Sequence, residues 1–135
     1  MKTVYLNLLL LVFGGGVYGV IELIWRGRTH WTMVLLGGVC FLILYNLYAR
    51  FPTMSLPEYC VFGSLIITSL EYVMGCVVNL YFDWNVWDYS DLPLNIMGQV
   101  CLLYSVYWGL LCVPMNYIFR LISGYLKPLM NVNKA

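Results

Sequence analysis

Two carboxylates, Glu22 and Glu71, stand inside long apolar runs of this chain. A charged side chain at that depth in a bilayer costs on the order of several kcal/mol, so each must face protein or water, find a cation, or carry a proton. Arg26 follows Glu22 by four positions, the order that favours a helical ion pair. Arg26 and Arg28 are also candidate partners for Glu71, and His30 closes the same short polar stretch. A second polar group follows the third apolar run: Trp87, Asp88, Tyr89 and Ser90, then Asn95 and Gln99. Asp88 between two aromatic rings suits the gate of a binding site, and equally a helix cap or a solvated charge. Asn95 reads as a helix N-cap or a substrate contact, and Gln99 as a substrate contact or an interhelical hydrogen bond. The candidate substrate-binding residues are therefore Glu22, Arg26, Arg28, His30, Glu71, Trp87, Asp88, Tyr89, Ser90, Asn95 and Gln99.

Other chemistry has little support. The five cysteines are scattered without metal-ligand spacing and read as small core residues. No HExxH, GxSxG, CxxC or phosphate-binding glycine loop occurs. No catalytic residue, metal ligand or particular cofactor is assigned. The formal net charge of +1, without a basic run, points away from nucleic acid.

The elements that must hold these side chains follow from composition. Apolar residues make up 62% of the 135 positions and charged residues 10%. A soluble domain of this length cannot bury so much apolar surface, whereas lipid can cover it. At about 20 residues per helical crossing, four spans and short joints use up the chain. The apolar positions encircle each run instead of alternating, so the spans are helices and not barrel strands. The expected helices cover about 4–25, 32–49, 57–80 and 95–119, in a single transmembrane domain over 1–135. The first run passes through Ile24, well beyond a signal-peptide core of about 7–15 residues, and reads as a membrane helix.

Four crossings put both ends on one side. That side carries Lys2, Arg50, Arg120, Lys127 and Lys134, against Arg26 and Arg28 opposite, which favours cytoplasmic termini. The fold class is thus all-α, an integral membrane four-helix bundle with both termini cytoplasmic. Glu71 lies 14 positions past Pro57, about 21 Å along the helix, which sets it in the outer half. On a helix opening at Asn95, the side chains of Asn95, Gly98, Gln99 and Leu102 share one face. Glycines at 14–16, 19, 37 and 38 suit close helix packing.

Two stretches carry a family resemblance. One is Gly19-Val-Ile-Glu22 leading through residues 26–31 to Gly37-Gly38. The other is Glu71-Tyr-Val-Met-Gly75 followed by Trp87-Asp-Tyr-Ser90, Asn95, Gly98 and Cys101. Together they resemble small bacterial membrane proteins of the CmpB-type ABC-transporter permease family, to which vertebrate transmembrane proteins are also related. The resemblance implies that Glu22, Glu71, Trp87, Asp88, Tyr89, Ser90 and Asn95 are motif positions, and that the membrane is the bacterial cytoplasmic membrane; it does not by itself supply a mechanism.

Three functions compete. The first is a small transporter or channel subunit for a small molecule or ion. It would be a homo-oligomer, since four helices cannot readily enclose a large path, with Glu71 and Glu22 forming the acidic site. The second is a non-transporting subunit that binds a lipid, a quinone-like molecule or a membrane-protein partner. The third is an intramembrane enzyme acting on lipid head groups, with Glu71, His30 and Asp88 as acid-base groups. The first is the leading expectation.

Overall fold

A computed structural model describes residues 2–131, with side chains described over 3–126. The side chains of Lys2, Lys127 and Lys134, expected on the inner side, lie outside the described residues. Helix α1 covers Lys2–Arg26, α2 covers Trp31–Arg50 and α3 covers Leu56–Gly75. A π-helical turn, Cys76–Tyr81, continues α3. After a loop come two short strands, β1 (Asn95–Ile96) and β2 (Val100–Cys101), and then α4, Leu102–Asn131. All four helices are long and apolar enough to cross a membrane.

Local chemistry sets the helix ends. Gly27 takes a left-handed φ of 72° just after α1, and its N–H bonds the Leu23 carbonyl at 2.9 Å, closing the helix. Ser55 and Glu58 form a reciprocal capping box on α3, with Pro57 in its first turn. The joint between α2 and α3 spans only 51–55.

The fourth helix does not begin at Asn95. The Asn95 side chain donates to the Leu92 carbonyl at 2.8 Å and accepts from the Gly98 N–H at 3.0 Å. Met97 and Gly98 both take positive φ, 54° and 71°, as a tight hairpin turn requires. Ile96 pairs with Val100 and Asn95 with Cys101 in an antiparallel ladder. Asn side-chain bonding to nearby backbone competes with the helix here and wins. The helical face expected for Asn95, Gly98, Gln99 and Leu102 is therefore replaced by a hairpin, and α4 starts at Leu102.

Helices α1 and α2 pack closely through small residues. A Cβ on Gly15 would lie 2.7 Å from the Val34 carbonyl oxygen, and Gly38 sits against the Leu11 carbonyl. Helices α3 and α4 are tied by polar contacts, Ser64 Oγ to the Ser105 carbonyl at 2.6 Å and Thr68 Oγ1 to Ser105 Oγ at 2.8 Å. The two pairs join through Tyr59, whose hydroxyl donates to the Leu44 carbonyl, and through Phe41 and Phe119, with ring centroids 4.8 Å apart. Helices α1 and α4 instead flank a cleft.

Candidate functional site

The polar residues gather at the end of the bundle that holds the α1–α2 loop and the 82–101 segment. Glu71 is the deepest of them, 1% exposed on the last turns of α3. The Tyr89 hydroxyl donates to its Oε1 at 2.8 Å and the Trp108 indole N–H to its Oε2 at 2.9 Å. Both oxygens are thus satisfied by neutral donors, and Arg26 and Arg28 do not reach them. Burial, and after it the Glu71 charge, hold the Tyr89 hydroxyl above its ordinary pKa, so it stays a donor.

Glu22, 4% exposed, has separate partners. Arg26 Nη1 pairs with its Oε1 at 2.8 Å and Thr29 Oγ1 donates to Oε2 at 3.1 Å. Arg26 Nη2 continues to the Val86 carbonyl at 2.8 Å, so this ion pair also fastens the first loop to the long one. The expected four-residue pair forms, and it is the single ion pair among the described residues. Tyr18 lines both the cavity that Glu71 borders and the cleft that Glu22 borders.

Those cavities give the site its shape. An outer cleft of about 720 Å³ lies between α1, α4 and the long loop. Glu22, Arg26, Arg28, Trp87, Asp88 and Tyr89 line it, six of the candidate residues. An inner apolar cavity of about 190 Å³ runs below it, with Glu71 in its wall. Tyr18, Ile21, Trp108 and Leu111 border both. Across the cleft Tyr18 faces Trp108 and Trp25 faces Tyr107, each pair with centroids 6.1 Å apart.

The remaining candidates are placed elsewhere. His30 caps α2: its Nδ1 accepts from the Thr32 N–H at 3.3 Å and lies 2.7 Å from Thr32 Oγ1. It lines a separate small pocket with Trp84 and Asn85. Ser90, Asn95 and Gln99 build the loop and do not border the cleft. Asp88 Oδ1 accepts from the Ser90 N–H at 2.9 Å and from the Ser90 hydroxyl. These bonds hold the exposed Asp88 carboxyl below its usual pKa. Trp87 donates its indole N–H to the Gln99 carbonyl at 2.9 Å. Asn79, on the π-helical turn, donates to Gln99 Oε1 at 2.9 Å and accepts from the Val86 N–H at 2.7 Å. Gln99 is thus a loop-to-helix link.

Trp108, Tyr18 and Tyr104 also line these cavities, and sequence reasoning passed over them. With α4 opening at Asn95, Trp108 would sit far down the helix. The true start at Leu102 lifts it to the level of Glu71. The signal that could have found it is the Asn95-x-x-Gly98 spacing, since Asn side-chain bonding to nearby backbone and a glycine three positions on favour a turn over a helix. Tyr104 stacks on Tyr89 at 4.5 Å and steadies the ring that reaches Glu71.

A bundle of four membrane-length helices, with a buried carboxylate beneath a structured aromatic loop, defines a multi-pass membrane protein. A family model described as "Putative ABC-transporter type IV" matches residues 6–133, and the chain belongs to that family. No curated protein and no solved structure matches it.

Proposed function

We propose that this chain is a membrane transport subunit that admits a small molecule sideways, through the α1–α4 cleft, to a site governed by Glu71. One observation carries the reading: the outer cleft and the inner cavity share walls at Tyr18, Ile21, Trp108 and Leu111, and Glu71 hangs from Trp108 at their junction. A carboxylate held by two neutral donors can exchange them for a substrate group or a proton without breaking an ion pair. Tyr89 reaches Glu71 from the long loop, so rearrangement at the carboxylate is felt in the lid of the cleft. Membership of a transporter family supports the same reading.

In this proposal the loops at the Glu71 end face outward and both termini face the cytoplasm, following the basic residues. Two or more copies assemble, because one bundle encloses too little space for a continuous path. The test is proton- or cation-coupled flux in liposomes. Glu71→Gln is expected to abolish coupling while the protein stays folded; unchanged flux would remove Glu71 from the mechanism.

A second reading has its own support. The cleft is open at its side and apolar below, which suits a subunit that holds a lipid without moving it. Co-purification with a stoichiometric membrane partner, and no flux by the isolated protein, would favour that reading. The acid-base enzyme is a weaker alternative, because Glu71, Asp88 and His30 border three different cavities.

A further inference from the structure

From the charges and the depth of the cleft we infer that its ligand is a single-chain zwitterionic amphiphile, a phospholipid-like molecule with a phosphate and an amine in its head group. This inference rests on the lateral-cleft reading above and names the class of molecule that the cleft takes.

Depth argues for a lipid-like shape. The outer cleft and the inner cavity together border α4 from Tyr104 to Ile118. At 1.5 Å per residue this is about 21 Å, while half the hydrocarbon core of a bilayer is about 15 Å. The polar end lies at the loop rim and the apolar end reaches past mid-membrane. The lower walls, including Phe13, Val17, Leu36 and Ile118, offer nothing polar to a solute but suit an alkyl chain. Gly14 and Gly37 also border this space.

Charge selects the head group. Glu22 and Arg26 cancel each other in their ion pair. What remains on the outer cleft is Arg28 as the cation, with Asp88 and Asp91 as anions. Arg28 is exposed and has no ion-pair partner among the described residues. A purely anionic head would meet Arg28 but oppose two carboxylates. A purely cationic head would satisfy the carboxylates and leave Arg28 unanswered. A phosphate on Arg28, with an amine among Asp88, Asp91 and the rings of Trp25, Tyr104 and Tyr107, answers both signs. Aromatic faces beside carboxylates are a recurring way to hold an alkylated ammonium group.

The experiment uses the full chain in amphipol and native mass spectrometry. The probes are alkyl phosphocholine, alkyl phosphate and alkyl trimethylammonium of one chain length, together with phosphocholine lacking the chain. Alkyl phosphocholine is expected to bind about tenfold more tightly than either singly charged amphiphile, the combined worth of one exposed ion pair and one ring-face contact. The chainless head group is expected to bind at least about a hundredfold more weakly, since the alkyl chain supplies most of the buried apolar area. Arg28→Gln should reduce phosphocholine binding to the trimethylammonium level. Asp91→Asn should reduce it toward the phosphate level. Arg120→Gln, on the inner half of α4, should change nothing. Equal binding of all three amphiphiles, or indifference to both cleft variants, overturns the head-group assignment. A photoreactive group in the alkyl tail separates this from failure of the cleft itself. Labelling of α1 and α4 near Trp108 and Ile118 keeps the cleft as the entry site; labelling confined to other faces removes it.

Discussion

Glu71 owes its place in the interior to two side chains from different elements. Removing one of its donors leaves a buried carboxylate oxygen without a partner, which typically costs about 1–3 kcal/mol. Trp108→Phe keeps the ring and deletes the N–H. It is therefore expected to lower thermal stability in detergent and to alter flux, whereas Tyr117→Phe, exposed on the same helix and bordering neither cavity, should leave both nearly unchanged. Asp88 permits a pH prediction with a definite sign. Its carboxylate accepts from Ser90, and this holds its pKa below the ordinary value, so the turn is supported above that ordinary value. Support is lost as pH falls through the lower folded-state pKa. Protection of the Ser90 amide against hydrogen exchange should persist from neutral pH down past about 4, the usual aspartate range, and disappear only in stronger acid. Asp88→Ala should lose that protection at every pH.

At the scale of elements, the π-helical turn and the β1–β2 hairpin act as one clamp on the long loop. Asn79 bonds Val86 and Gln99, and Trp87 bonds Gln99 in turn. Asn79→Leu breaks two buried hydrogen bonds at once. Limited proteolysis and hydrogen exchange should then show opening over 82–101, with the four helices still protected. Gly98→Ala attacks the same clamp from the hairpin. A Cβ there would meet Ser90 Oγ at 2.6 Å and Asp88 Oδ1 at 2.8 Å, on a backbone with φ of 71°. That substitution is expected to cost roughly 1–3 kcal/mol, through strain at a left-handed position. Intact protection of the loop in either variant would show that the clamp is not what holds it.

For the whole molecule, the arrangement is two tightly packed helix pairs that share one seam and leave α1 and α4 apart on the other side. Such a bundle can widen its cleft without breaking either pair. Gly15→Leu, by pushing α1 off the Val34 carbonyl, should loosen the first pair and reduce ligand binding, even though Gly15 does not border the cleft. Orientation is tested by thiol labelling in intact cells, in a background lacking the native cysteines. A membrane-impermeant reagent is expected to modify Asn85→Cys on the long loop and to spare Thr53→Cys in the α2–α3 joint. The reverse pattern would invert the proposed topology and place the cleft mouth in the cytoplasm.

Much of the membrane architecture is legible in residue order, because a span needs only length and apolar content, both local properties. The first three helices fall within a few residues of their expected bounds for that reason, and the Glu22–Arg26 pair follows from helical spacing alone. The fourth begins at Leu102 instead of Asn95 because Asn95 and Gln99 are compatible with a helix by type, while the bonds that hold them in a hairpin come from Leu92, Gly98 and Asn79. The site divides in the same way. That Glu71 must avoid bare lipid could be read from the cost of a charge there, while its burial among protein could not. That Tyr89 and Trp108 share it, that His30 serves as a cap, and that α1 stands away from α4 depend on contacts between distant segments. Composition and periodicity determine what must leave water; only the packing of helix on helix and loop on bundle decides which polar groups meet once it has.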